Sequence, residues 1–196
     1  SAAPAIIART DDVGPLGCEL LVESERFASL LEALRSGGVV DLDAGTAEVL
    51  RIEHGVPRFH QDMDEETIPL EAGIEARAIS LTKGCYVGQE VIIRVLHRGH
   101  GRVARRLVGL SCPGNAAPRP GATVFDGDTA VGQVTSAALS PAVGGPIALA
   151  YVPREAAEPG RQVRVAMGLT PPDRPTRGGT HARDTGGATG EGGATS

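Results

Sequence analysis

Ala122-Thr123-Val124-Phe125-Asp126-Gly127-Asp128-Thr129-Ala130-Val131-Gly132-Gln133-Val134-Thr135-Ser136 carries a compact turn, Asp126-Gly127-Asp128, between two apolar runs. A Gly-centred turn flanked by such runs predicts an antiparallel hairpin, with strands over 122–125 and 130–136. Working outward, residues 105–112, 147–152 and 162–166 read as three further short strands with turn signals between them. Five closely spaced strands of this kind predict a small antiparallel barrel or sandwich.

Upstream the pattern changes. Residues 18–22 read as one short strand. Ser24 then fits a helix N-cap, with Glu25 in the first turn where the helix dipole favours a carboxylate. Phe27, Leu30, Leu31 and Leu34 follow at i, i+3, i+4 and i+7, the stripe of an amphipathic helix. Gly37 and Gly38 end it with a left-handed cap. A second helix is predicted over 44–54, burying Ala47, Leu50 and Val49, and stopped by Gly55 and Pro57. Residues 61–71 are acidic and turn-rich. Their spacing is not that of an EF-hand, so a solvated loop is expected and no metal site. Val91-Ile92-Ile93-Arg94-Val95-Leu96 is rich in β-branched residues and reads as a buried strand. Past Leu169 no aliphatic residue is larger than Ala, which predicts a disordered tail over 169–196.

The class is therefore α+β. Residues 1–98 form an α/β domain with antiparallel strands, 99–168 a small antiparallel β-barrel, and 169–196 the tail. No run approaches the ~20 apolar residues of a membrane helix. Three cysteines without a secretion signal argue for reduced thiols and a cytoplasmic protein. The net charge of −5 is unevenly spread: residues 1–80 carry 16 acids and 6 bases, residues 81–106 six bases and one acid. A basic segment on an acidic chain calls for an anion or an acidic contact. Aromatic residues make up only 3%, so base-stacking platforms are nearly lacking and nucleic acid is argued against.

Chemistry concentrates in Lys83-Gly84-Cys85-Tyr86-Val87-Gly88-Gln89-Glu90. Lys83 is the sole lysine among 19 basic residues, which points to a site needing a compact ammonium. Cations at Lys83 and Arg94 would favour a Cys85 thiolate if they lie close. The alternative reading makes Cys85 a small core side chain and Lys83 a surface charge. His54, His60, His97, His100 and His181 show no metal-like spacing and are read as surface or packing residues.

This octapeptide resembles the K-G-C-[FY]-x-G-Q-E signature of the YgfZ family of folate-binding proteins, relatives of the glycine cleavage aminomethyltransferase. Arg51-Ile52-Glu53-His54-Gly55, then Asp62-Met63-Asp64-Glu65 and Pro69-Leu70-Glu71-Ala72-Gly73, is similar to the superfamily's R-x-E-x-G and D-x-D-E…P-x-E-x-G blocks. Val131 to Ser136, with Ser140-Pro141, resembles the G-x-V-T-S…S-P stretch of its barrel.

The resemblance implies a folate-binding domain, present here only in part, and a preceding half that forms one side of the folate pocket. It implies tetrahydrofolate or a one-carbon derivative as cofactor. Iron–sulfur client or assembly proteins are the implied partners, in cluster assembly or repair. Cys85 would be a redox or transfer thiol beside Lys83. Glu19, Arg51, Tyr86, Gln89 and Glu90 would bind the cofactor. Glu19 follows the Gly14-x-x-Gly17 turn in the place of a pterin-binding glutamate. Arg51 either pairs with a folate carboxylate or braces a buried acid such as Glu53. The rival readings are a folate-dependent aminomethyltransferase and a non-binding remnant that keeps only the barrel.

Overall fold

The computed structural model describes residues 5–14, 16–97 and 101–166. The expected tail, Arg98, His100 and His181 lie outside them. Strands β1 (Ile6–Thr10) and β2 (Gly17–Leu21) pair antiparallel and lead into helix α1 (Ser24–Ser36). The helix begins one residue earlier than Ser24 as cap would require: Glu23 holds the extended capping position, no side chain caps it, and Ser24 is already helical. Its end is a Schellman motif. Gly38 takes φ +91°, its N–H donates to the Arg35 carbonyl at 3.0 Å, and that of Val39 donates to Leu34 at 3.0 Å. Helix α2 (Ala44–Glu53) is capped by Asp43, which accepts from the Thr46 N–H at 2.9 Å. Its buried residues are Arg51 and Ile52, whereas Ala47, Val49 and Leu50 are half-buried.

Two single-turn helices, α3 (Pro69–Ala72) and α4 (Glu75–Ala78), precede α5 (Gln89–His97). The strand expected over 91–96 is therefore a helix. Ile92, Val95 and Leu96 recur at helical spacing and meet Leu70 and Val103 in one cluster, while Val91 stays exposed. Arg94 pairs with Glu90 at 2.9 Å one turn back, a contact only a helix allows. β-branched composition lost to amphipathic period.

All five predicted strands of the second half form: β3 (Arg105–Ser111), β4 (Thr123–Asp126), β5 (Thr129–Ser140), β6 (Gly145–Pro153) and β7 (Arg164–Val165). They make one antiparallel sheet in the order β3-β6-β5-β4-β7. The hairpin turns through Gly127 at φ 60°. Val108 and Leu110 of β3 and Val165 of β7 pack on the same cluster, built on Val124, Val134, Ala148, Ala150 and Val152. Opposite edges sharing one core means that the sheet curls into a barrel-like form.

Strand β6 is buried on both faces. Ala148, Ala150 and Val152 fill the barrel, whereas Ile147 and Leu149 face outward onto Ile52 of α2. Close approach of β5 to β6 requires Gly132, because a β-carbon there would stand 1.9 Å from the Tyr151 carbonyl oxygen. Among the described residues no helix is long and apolar enough to cross a membrane. Gly132→Ala is expected to destabilise the barrel by about 2–3 kcal/mol, as overpacking does, measured by thermal unfolding of the two proteins.

Candidate functional site

A bulge in β5 builds the most buried polar site among the described residues. Val134 pairs with Ala150 and Ser136 with Leu149, leaving Thr135 as the extra residue. Strict alternation would point Thr135 and Ser136 to opposite faces. With the bulge, Val134 and Ala137 face the barrel core while Thr135 and Ser136 both face outward onto one carboxylate. Asp62 Oδ1 accepts from Thr135 Oγ1 at 2.5 Å and from Ser136 Oγ at 2.6 Å. Its other oxygen accepts from the Arg58 N–H at 2.9 Å and from Arg51 Nη1 at 2.5 Å.

Arg51 is 1% exposed. Its second amino group donates to Ser136 Oγ at 2.6 Å and pairs with Glu48. Burial alone would lower the guanidinium's pKa, but the Glu48 hydrogen bond and the charges of Asp62 and Glu48 outweigh it and raise it. The Arg51 hydrogen bond in turn holds Glu48 below its ordinary value of 4.5. Two further links run alongside. Ser140 Oγ donates to Glu53 at 2.5 Å, and Arg105 Nε donates to Glu71 at 2.8 Å. The Arg105 guanidinium also lies 4.5 Å from the Tyr151 ring centroid. Burial pushes the Tyr151 phenol up to about 12, against the charge of Arg105.

The acidic stretch 61–71 is thus a solvated loop only in part, with Glu65 and Glu66 exposed. Asp62 and Glu71 are buried, held by arginines, and among the described residues no group of His, Cys, Asp and Glu is placed to hold a metal. Arg51 braces an acid, with Asp62 as its partner where Glu53 was expected, and its two amino groups are committed inside the fold. The octapeptide lies elsewhere. Cys85 is exposed, so it is not a core side chain. The Lys83 ammonium sits 4.8 Å from the Tyr86 ring centroid, and Arg94 is paired with Glu90, so each expected cation has another partner. Tyr86 packs against the cluster of Leu70, Ile92 and Val103, and Gln89 opens α5. Glu19 stands exposed on β2. Sequence reading missed Asp62, Glu48, Thr135 and Ser136 as one unit, because they are brought together only by the bulge and the packing of α2.

Two shallow grooves hold about 210 Å³ each, below the ~300 Å³ at which pockets for larger ligands begin. One is lined by Asp11, His54, Ile74 and Arg77, the other by Val22, Arg26 and Leu30, and no anticipated cofactor residue lines either. Glu19 offers an exposed carboxylate without a partner among the described residues, which do not themselves enclose a pterin and its glutamyl tail.

Comparison with known proteins is consistent with this layout. The family model of the glycine cleavage T-protein C-terminal barrel domain matches residues 105–174, and that of the GCVT N-terminal domain matches residues 1–83. The chain belongs to the glycine cleavage T-protein superfamily. It is 40% identical over 164 residues to an aminomethyltransferase of Thermosynechococcus vestitus, covering 84% of this chain and 44% of the relative. An aminomethyltransferase of Streptomyces coelicolor is 36% identical over 81% of this chain and 44% of its own length. The crystal structure of glycine cleavage system aminomethyltransferase T from Bartonella henselae superposes with a TM-score of 0.69 at 26% identity, covering 81% of this chain and 44% of that one. The chain therefore spans less than half the length of these relatives.

These likenesses overturn the YgfZ reading. The octapeptide that carried it is eight residues long, whereas similarity to proteins named aminomethyltransferase runs over most of the chain. The role in iron–sulfur cluster assembly, with its client proteins, falls with it.

Removing one partner of the buried pair leaves a charge without its counterion. Asp62→Asn is expected to cost about 3–5 kcal/mol and Ser136→Ala about 1–3 kcal/mol, read by denaturant unfolding. Because Glu48 is held below its ordinary value, its contribution is present above pH 4.5 and lost as pH falls below it. Glu48→Gln is expected to flatten that acid limb of the stability profile.

Proposed function

We propose that this chain serves aminomethyl transfer to tetrahydrofolate, as the portion of a glycine-cleavage-type aminomethyltransferase that carries the barrel and its joint to the folate domain. The observation that carries this reading is the 40% identity to an aminomethyltransferase over 84% of the chain. The joint supports it. Arg51, Asp62, Thr135 and Ser136 fix the barrel against α2, and a site shared between two layers needs such rigidity to hold its reacting groups in register. Glu19 is the proposed acceptor for pterin N–H groups, since its carboxylate has no partner among the described residues. Lys83, Cys85, Gln89 and Glu90 lie on a loop and helix start outside the joint.

The test is formation of methylenetetrahydrofolate from an aminomethylated carrier protein. It is run on this chain alone and on this chain mixed with the part of the Thermosynechococcus vestitus enzyme that it does not match. Turnover in the mixture is expected. Its absence from both, with the intact relative active as control, overturns the reading.

A further inference from the structure

The basic segment 81–106, six bases against one acid, finds little acid inside the fold to answer it. Among the described residues Arg94 pairs with Glu90 and Arg105 with Glu71, whereas no carboxylate pairs with Lys83, Arg102 or Arg106. Arg105 is the cation that the fold fixes most firmly. It alternates with Leu107, which packs on the Ile52 cluster, so its side chain leaves β3 on the face toward α2 and α3. Arg106 shares the opposite face with Val108 of the barrel core. The Arg105 Nε is committed to Glu71 at 2.8 Å, and the guanidinium lies over the Tyr151 ring, 4.5 Å from its centroid. Tyr151 is 8% and Glu71 9% exposed, so both holds on the arginine belong to the interior. Its two terminal amino groups have no partner among the described residues, and the side chain is 44% exposed. A guanidinium clamped by Nε and by one face has lost much of its freedom already, and its open fork matches the two oxygens of a carboxylate.

The surroundings suit more than one such group. Leu70, Ile92 and Val103 form one cluster, with Tyr86 packed against it. Arg102 adjoins Val103, Glu71 adjoins Leu70, and the Lys83 ammonium sits over the Tyr86 ring, so Lys83, Arg102 and Arg105 border the same apolar cluster. The acids nearby are already answered, Glu71 by Arg105 and Glu90 by Arg94. Lys83 and Arg102 therefore supply positive charge that nothing inside the fold cancels. Cations spaced around an apolar cluster fit a flexible ligand with several carboxylates separated by methylene groups. Glutamate units joined end to end have that chemistry.

We infer that Arg105, flanked by Arg102 and Lys83, is a binding subsite for the carboxylates of a short glutamyl ligand, one carboxylate lying on the Arg105 fork. The same chemistry is offered by a γ-linked glutamyl tail on a small molecule and by the side chains of an α-linked acidic peptide. The subsite follows from these contacts and does not depend on aminomethyl transfer, and its readout is binding rather than turnover.

The full chain is titrated by calorimetry with γ-linked triglutamate, α-linked triglutamate, triglutamine and inorganic phosphate, and the arginine side-chain N–H signals in NMR locate the contact. One or both triglutamates should saturate, shift the Arg105 signals, and bind about tenfold more tightly than phosphate or triglutamine. Arg105→Lys, which keeps the charge and loses the fork, should weaken binding by about tenfold. Arg102→Gln should weaken it by about threefold, and Arg106→Gln, the same charge lost from the other face of β3, should leave it unchanged. Saturation by the γ-linked ligand alone assigns the source to a small-molecule tail, and by the α-linked one alone to a peptide; either supports the subsite. Four results would overturn it: no saturation with either triglutamate, phosphate binding as tightly, full binding by folded Arg105→Lys, or Arg106→Gln costing as much as Arg102→Gln. Arg102 and Arg106 are exposed, so that last comparison decides the matter even if Arg105→Lys does not fold.

Discussion

A buried carboxylate, Asp62, accepting from both Thr135 and Ser136, is the constraint on which the two halves of this molecule depend. Neither a regular strand nor an isolated loop supplies that geometry. The bulge in β5 turns two consecutive hydroxyls to the same face, and Arg51 balances the charge they surround. Burying an arginine and an aspartate is costly unless their hydrogen bonds are largely satisfied. Asp62 accepts four, and Arg51 donates to Glu48, Asp62, Ser136 and the Val56 carbonyl.

Strand β6 shows why this joint and the barrel form one unit. Its Ala148, Ala150 and Val152 fill the barrel, and its alternate residues Ile147 and Leu149 form the floor on which Ile52 sits. Arg51 and Ile52 are neighbours on α2, so the helix that places the ion pair also places the apolar contact. The polar joint is thereby shielded from water, which strengthens its electrostatics and raises the cost of breaking it. The N-terminal hairpin and α1 have no such anchor. Their described ties to the rest are polar, chiefly Arg77 with Asp11 and Asp12.

The barrel was legible because its signals are local. Each strand is a short apolar run closed by a turn, and the Asp126-Gly127-Asp128 turn sets the first hairpin without reference to anything distant. Helix α1 was legible for the same reason, through its i, i+3, i+4 stripe. Val91 to Leu96 misled because a short apolar run satisfies both periods, and the choice fell to packing against Leu70 and Val103, which lie outside the run. The acids at 61–71 misled because a carboxylate looks solvated until its arginine is known. The octapeptide drew attention as a dense motif, yet the structure leaves Cys85 exposed and gives Lys83 to Tyr86.

By itself the sequence determined the barrel strands, the first two helices and the superfamily, all of which rest on residues near one another in the chain. The tertiary structure alone decided that Arg51 is a brace for Asp62, that Thr135 and Ser136 act together, and that α5 is a helix. The physical reason is that burial of a charge, the partner that satisfies it and the face a run presents are properties of contacts between distant segments, which no local pattern encodes.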